Sequence, residues 1–205
     1  MDREETMAMF NLAKREIDLK IVYCGPGMCG KTTNLQHIHK MLGPQKCGEL
    51  VSLATKDDRT LFFDFLLIER YISGLKTHFH LYTVPGQVQY ALTRRAVLMG
   101  VDGVVFVVDS QTSKLQDNIE SLKDLEEHLR FYKKDLRALP FVLQYNKRDL
   151  PDITPVNKLN TMLNAMNVPA FESSAVTGMG VAATLNEICK MVQKQMDSST
   201  AKTKR

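Results

Sequence analysis

Eight residues near the N-terminus, from Gly25 to Thr32, have the types and spacing of a phosphate-binding loop. Their sequence, Gly-Pro-Gly-Met-Cys-Gly-Lys-Thr, fits the pattern G-x-x-x-x-G-K-[ST]. Glycines let backbone N–H groups turn inward around phosphate oxygens, and a following helix N-terminus adds partial positive charge. In this pattern Lys31 reaches the β- and γ-phosphates, and the Thr32 hydroxyl binds Mg²⁺. The residues predicted to bind phosphate here are Gly25, Gly27, Met28, Cys29, Gly30, Lys31, Thr32 and Thr33.

A second motif, Asn146-Lys147-Arg148-Asp149, has the residue types of a guanine-recognition loop. The Asp149 carboxylate can accept two hydrogen bonds, which matches the N1–H and the exocyclic amino group of guanine, whereas adenine presents an acceptor at N1. A site built on buried polar groups rejects a ligand that leaves them unpaired. Asn146 would brace the loop, and the aliphatic stem of Lys147 would cover the base. A later stretch adds residues whose backbone amides can approach the guanine O6: Ser174, Ala175 and Val176.

The glycine-rich loop lies between a predicted strand and a predicted helix, as phosphate binding requires. Apolar periodicity predicts the strand over residues 19–23 and the helix over 31–42. Residues 60–68 and 76–84 are two further strand-like stretches, joined by a short connection near Ser73-Gly74. Because they are adjacent and closely joined, we expect them to form an antiparallel hairpin.

The rest of the chain alternates helices with strands. Residues 90–99 and 115–132 have helical apolar spacing, and the β-branched run 104–108 suits a strand covered on both faces, as in a parallel sheet. The remaining predicted elements are a strand over 140–145, a helix opening at Thr154-Pro155, a short strand over 169–173 and a closing helix from Val181.

This order of elements predicts an α/β fold. We expect a P-loop domain of three layers, with a mostly parallel six-stranded sheet and one antiparallel hairpin strand. In such sheets ligands bind beyond the carboxyl ends of the strands, where both motifs fall. The expected organisation is an N-terminal extension over residues 1–18, the domain over 19–196, and a basic, disordered tail over 197–205.

Composition and charge exclude several classes of protein. The 205 residues are 44% hydrophobic and 24% charged, which is typical of a folded globular chain. The net charge of +4 is too small and dispersed to indicate nucleic-acid binding. No apolar run is long enough to cross a bilayer, and the four cysteines lack zinc-like spacing, which fits packing thiols in a reducing compartment. We therefore expect a cytoplasmic protein that binds no nucleic acid and is not inserted in a membrane. We also expect it to be monomeric by itself.

Taken together, the motifs resemble those of the Ras-like small GTPases over residues 19–196. The resemblance is closer to the bacterial gliding and polarity GTPases of the MglA type. It implies a Ras-like G domain that binds GTP and GDP, with Mg²⁺ as cofactor. The stretches that carry it are residues 21–27 with 30–36, 58–65, 81–87 and 144–151.

The resemblance also implies roles that spacing alone does not assign. Thr60 resembles the first-switch threonine that contacts Mg²⁺ and the γ-phosphate, so Thr32 and Thr60 are the expected metal-binding residues. Arg59 resembles the intrinsic arginine finger of the MglA type. Gln87, directly after the phosphate-binding Gly86, resembles the glutamine that orients the attacking water. Arg59 and Gln87 are thus the expected catalytic residues, because phosphoryl transfer is catalysed mainly by positioning and charge stabilisation.

One position departs from the wider family. Most Ras-like GTPases have an aspartate three residues before the glycine at position 86, whereas this chain has Thr83, a departure that the MglA type shares. A neutral hydroxyl holds a metal-bound water less strongly than a carboxylate does. The departure therefore bears on the metal affinity and on the intrinsic rate of hydrolysis.

The expected activity is hydrolysis of GTP to GDP and phosphate by attack of water, slow without an activating protein, with a conformational switch as its output. The resemblance implies a regulator of bacterial cell polarity and of gliding or twitching motility, recruited to a cell pole. Implied partners are a roadblock-type (MglB-like) GTPase-activating protein, an exchange factor and polar motility effectors. Two alternatives stay open: a nucleotide-locked guanine-nucleotide-binding scaffold with negligible turnover, motivated by Thr83, and an ATP-using P-loop protein.

Overall fold

The strands of this chain form one sheet in a computed structural model that describes residues 9–11, 16–53, 63–72, 74–85 and 91–203. Eight strands belong to the described part of the chain. They are β1 (Met9–Asn11), β2 (Glu16–Cys24), β3 (Val51–Leu53), β4 (Phe63–Ile72), β5 (Leu75–Thr83), β6 (Gly103–Asp109), β7 (Phe141–Asn146) and β8 (Ala170–Glu172).

The strand order across the sheet is β3-β4-β5-β2-β6-β7-β8, with β1 paired to the start of β2. Strands β5, β2, β6, β7 and β8 are parallel, and β4 pairs antiparallel with β5. The predicted α/β fold and the predicted hairpin are therefore confirmed. All six predicted strands are present, and the two short strands β1 and β3 join them by antiparallel pairing.

Five α-helices cover the two faces of the sheet within the described residues. Helices α1 and α5 pack on one face, and α2 and α3 pack on the other, with α4 against α3. Each face has its own apolar cluster, one containing Leu35, Ile38 and Leu185 and the other containing Leu98 and Leu129. The helices are α1 (Lys31–Leu42), α2 (Ala91–Leu98), α3 (Leu115–Phe131), α4 (Val156–Leu163) and α5 (Val181–Thr203).

Strand β6 shows why the sheet is a middle layer. All seven of its residues, Gly103–Asp109, are buried. A strand with both faces covered has no polar alternation, which explains the continuous run of apolar residues in the sequence.

Three predicted boundaries are wrong. Strand β4 ends at Ile72 rather than at residue 68. Strand β2 begins at Glu16 rather than at residue 19, because Glu16 and Asp18 lie on its half-exposed face while Ile17 is buried. The closing helix continues to Thr203, so residues 197–203 are helical and not disordered. No glycine or proline interrupts the sequence between Val181 and Thr203, so nothing in it stops the helix.

The outer edge of β4 is covered by the chain that follows α1. The Gly48 N–H donates to the Leu67 carbonyl oxygen (2.9 Å), and the Glu69 N–H donates to the Lys46 carbonyl oxygen (3.0 Å). These bonds satisfy backbone groups that an edge strand would otherwise leave unpaired.

None of the helices in the described ranges combines the length and the apolar character needed to cross a bilayer.

Replacing Leu185 by alanine tests the packing of α5 on the sheet. Leu185 is fully buried, so the substitution should leave a cavity and lower the free energy of unfolding by about 2–5 kcal/mol in urea titrations. The matched control is Leu92→Ala on α2, where the side chain is 81% exposed and the change should stay within about 0.5 kcal/mol. Equal effects of the two substitutions would contradict the burial of α5.

Candidate functional site

The motif residues meet at one edge of the sheet because the strands that precede them are parallel. Register pairs Tyr23 of β2 with Thr83 of β5, and Asp109 of β6 with Asn146 of β7. The carboxyl ends of these strands therefore lie side by side, and the loops that follow them share one crevice, where ligands of such sheets bind.

The glycine-rich loop needs glycine at two positions for steric reasons. Gly25 and Gly30 have φ angles of 138° and 101°, a region that side chains rarely adopt. A Cβ at Gly25 would collide with the Val107 carbonyl oxygen, and one at Gly30 would collide with the side-chain nitrogen of Asn146. The loop is therefore pressed against β6 and β7, which fixes its backbone.

The start of α1 gives the loop its positive character. The helix begins at Lys31, directly after Gly30, and its first turn holds no acidic residue. The N–H groups of a first helical turn lack partners within the helix and attract anions. Lys31 is buried, and its Nζ donates to the carbonyl oxygens of Gly25 (3.0 Å) and Pro26 (2.6 Å) across the loop. A cation and helix amides at the same place suit a polyphosphate.

Asn146 connects the glycine-rich loop to the loop after β8. Its side-chain nitrogen donates to the Cys29 carbonyl oxygen (2.8 Å), and its side-chain oxygen accepts from the Ala175 N–H (2.8 Å) and from the Ser173 hydroxyl (3.3 Å). Asn146 is only 2% exposed. The predicted bracing role of Asn146 thus corresponds to bonds that join three separate loops.

The other residues of the Asn146-Lys147-Arg148-Asp149 motif differ in burial and in their contacts. The Lys147 ammonium is 2.6 Å from the carboxylate of buried Asp109, which holds the lysine stem in place at the crevice. Asp149 is exposed, and its carboxylate has no hydrogen-bond partner in the part of the chain that the structure describes. Ser174 and Ala175 are buried, whereas the Val176 side chain is 78% exposed. An exposed carboxylate beside a fixed loop can accept the two adjacent donors of a guanine.

The Thr32 hydroxyl leads to a residue that the sequence motifs missed. It donates to Oδ2 of Asp64 at 2.5 Å, and the Thr83 hydroxyl donates to the same oxygen at 2.9 Å. The only signal in the sequence is that Asp64 is acidic within an otherwise apolar run, Leu61 to Leu67. Spacing along the sequence does not indicate that Thr83 is a partner of Asp64, because β4 and β5 must first be aligned.

Four predicted residues cannot be located against this framework. Arg59, Thr60, Gly86 and Gln87 lie outside the described residues.

The two cysteines beside the crevice, Cys24 and Cys29, are unreactive at neutral pH. Burial raises the pKa of the Cys24 thiol to about 12. Burial also raises the pKa of Cys29, although the neighbouring Lys31 acts in the opposite direction. Since the thiolate is the reactive form, these thiols serve as packing groups at neutral pH.

Asn146→Ala should destabilise the protein even after its nucleotide is removed. The substitution leaves the Cys29 carbonyl and the Ala175 N–H without their buried partner, at a cost of about 2–4 kcal/mol. Thermal unfolding of the protein, after a chelator has released its metal and nucleotide, measures this loss of stability. The matched control is Asp149→Ala, which should leave the stability of the nucleotide-free protein unchanged and weaken only guanine-nucleotide binding. If the nucleotide-free protein is equally stable with Asn146 and with alanine at that position, the bracing role is contradicted.

Comparison with known proteins agrees with this geometry. The family model of the ADP-ribosylation factors matches residues 5–192. The mutual gliding-motility protein MglA of Myxococcus xanthus is 50% identical over 191 residues, which cover 93% of this chain and 98% of that protein. ADP-ribosylation factor-like protein 6 of Caenorhabditis elegans is 27% identical, covering 93% of this chain and 94% of its own length. The Ypt/Rab-type GTPase Rab7 of Neurospora crassa is 24% identical, covering 91% and 87% respectively.

The family match spans nearly the whole chain, and the structure brings the phosphate loop and the guanine motif to one crevice. The alternative of a nucleotide-locked scaffold is not favoured, nor is an ATP-using protein. The chain belongs to the Arf/Ras-like small GTPases, enzymes that bind GTP and hydrolyse it.

Proposed function

We propose that this GTPase is a molecular switch that controls bacterial cell polarity and gliding or twitching motility. The observation that carries the proposal is the 50% identity with a mutual gliding-motility protein, since 98% of that protein aligns with this chain. An alignment of that extent leaves no separate domain in the relative to account for its role.

In the proposed mechanism, the phosphate loop and Lys31 hold the β- and γ-phosphates while water attacks the γ-phosphorus. The bond between that phosphorus and the β–γ bridging oxygen breaks, so GDP and inorganic phosphate result. Gln87 orients the attacking water. Arg59 stabilises the negative charge that develops between the β- and γ-phosphates, as an arginine supplied within the chain can do.

Thr32 and Thr60 are the residues that would hold Mg²⁺. The donor chemistry at Thr32 fits this ion, because its hydroxyl proton is directed to the Asp64 carboxylate and the oxygen keeps lone pairs for a hard cation. When bound, Mg²⁺ would supply positive charge that offsets the negative charge of the phosphate groups. Thr60 would sense the γ-phosphate, and its loop would relax when that phosphate leaves.

We also propose the partners that such a switch requires. A roadblock-type, MglB-like activating protein would accelerate hydrolysis, an exchange factor would release GDP, and polar motility effectors would bind the GTP form. The chain would act in the cytoplasm and be recruited to a cell pole. These proposals rest on the resemblance to the MglA type and on the relative from Myxococcus xanthus.

Single-turnover hydrolysis with a candidate activator tests the catalytic residues. Arg59→Ala and Gln87→Leu should each slow the release of phosphate by about 100-fold or more while nucleotide stays bound, because each removes a contact made to the reacting centre. Matched controls are Arg70→Ala on β4 and Gln116→Leu on α3, whose side chains bond to Asn186 and Glu120. Rates that do not change on loss of Arg59 or Gln87 would refute their assignment.

Gene deletion tests the biological role. In the bacterium that encodes this chain, deletion should abolish or disorient surface motility, and the wild-type gene should restore it. A Lys31→Ala gene should not restore motility, because that variant lacks the cation at the phosphate loop. Normal speed and normal reversals after deletion would argue against the proposed role.

A further inference from the structure

A cavity of about 470 Å³ lies at the edge of the sheet opposite the nucleotide crevice. It is formed by the end of α3 and by the segment that leads into β7, so it lies near the amino ends of the strands. The Lys134 Nζ donates to the carbonyl oxygen of Val101 (2.7 Å), just before β6 begins, and holds this segment to the sheet. The volume suits a small organic ligand. The charged residues that line the cavity are Glu126, Arg130, Lys133, Lys134, Asp135 and Arg137.

The lining of this cavity carries more positive than negative charge. Four of the six charged side chains are cations and two are carboxylates. Both carboxylates have partners, since Glu126 lies 3.6 Å from the Arg130 guanidinium and Asp135 accepts from the Arg137 N–H (2.9 Å). Among the ion pairs of the described ranges, none involves the side chain of Lys133 or Arg137. These two cations are therefore available to a ligand.

The end of α3 does not by itself account for the cations. Helix C-termini favour positive charge because their last carbonyl oxygens lack partners within the helix. Here backbone groups supply partners, since the N–H groups of Tyr132 and Lys134 donate to the Leu129 carbonyl oxygen (2.9 and 3.0 Å). Lys133 also has a φ of 54°, in the left-handed region where glycine is preferred at helix ends. A lysine at a position that favours glycine indicates a use for its charge.

The lining also includes two apolar side chains, which bear on the kind of anion. Leu136 is buried and Met166 is half-buried. Inorganic phosphate has no carbon to place against them, whereas the ester of an organic phosphate has. A phosphate monoester carries a charge of about −1.5 to −2 at neutral pH, which balances the excess of two cations. Its oxygens match the planar fork of an arginine and the point charge of a lysine.

We propose that this cavity binds the phosphate monoester of an organic ligand other than the guanine nucleotide. Arg137 and Lys133 bind the phosphate oxygens, and Leu136 and Met166 contact the carbon that carries the ester. The same group occurs in soluble compounds such as glycerol 3-phosphate and in the headgroup of phosphatidic acid. Binding to the headgroup would place the chain on a membrane surface with its nucleotide crevice facing away, because crevice and cavity lie at opposite edges of the sheet.

Titration with glycerol 3-phosphate, followed by amide NMR signals of the full chain, tests the site. The protein is loaded with GDP and Mg²⁺ so that the phosphate loop is already filled. Signals of residues 130–137 should shift and saturate, those of residues 25–33 should stay in place, and glycerol, which lacks the phosphate, should have no effect. Arg137→Ala should raise the dissociation constant about 10-fold, as expected for the loss of a charge-assisted hydrogen bond.

Lys133→Gly separates binding from structural support. Glycine suits a φ of 54°, so this variant should melt at the temperature of wild type or above it, while its affinity for glycerol 3-phosphate should fall about 10-fold. The matched control for the Lys133→Gly, Arg137→Ala double variant is Lys40→Ala with Lys190→Ala, which removes two exposed charges from helices on the other face of the sheet. An equal loss of affinity in this control would indicate general attraction of anions and overturn the site.

Cosedimentation with phosphatidylcholine vesicles, prepared with and without phosphatidic acid, separates the two sources of the ligand. For a headgroup site, the GDP-loaded chain should sediment only with phosphatidic acid, and the Lys133→Gly, Arg137→Ala variant should stay in solution. Saturation by glycerol 3-phosphate without sedimentation assigns the site to a soluble phosphate ester. If glycerol 3-phosphate gives no saturable shifts at residues 130–137, and vesicles bind wild type and the double variant equally or not at all, the proposal is overturned.

Discussion

One side-chain amide, that of Asn146, sets the relation between the two halves of the nucleotide crevice. Its donor end is taken by the phosphate loop at Cys29 and its acceptor end by the Ala175 N–H of the loop after β8. Because Asn146 is almost fully buried, neither end has water as an alternative partner. The loops that carry the predicted phosphate-binding and guanine-binding residues are therefore held at a fixed separation.

The sequence allowed the parts of the site that consist of contiguous residues to be predicted. The glycine-rich loop and the Asn146 motif have fixed spacing and fall next to periodic elements, so their positions followed from local pattern alone. Strands β1 and β3 were missed because three residues show no periodicity and owe their conformation to pairing. The helical residues 197–203 were missed because a polar, basic composition does not by itself prevent continuation of a stable helix.

Asp64 was missed for a different reason, which is that its hydrogen-bond partners are distant from it in the sequence. Its partners come from α1, β3 and β5, up to 32 positions away in the chain, and only the register of three strands brings them together. Comparison of Thr83 with the wider family identified a missing charge but not the hydrogen bonds between Thr83 and Asp64.

The manner in which the sheet ends has a consequence for association between copies. Strands β3 and β8, at the two ends of the sheet, have three residues each, and the edge of β4 beyond β3 is occupied by backbone bonds from Lys46 and Gly48. A cross-β fibril grows only where a long unpaired edge can accept the next strand. In the described part of the chain, the two end strands are short and the β4 edge is paired, so these edges give the next strand of a fibril little to pair with.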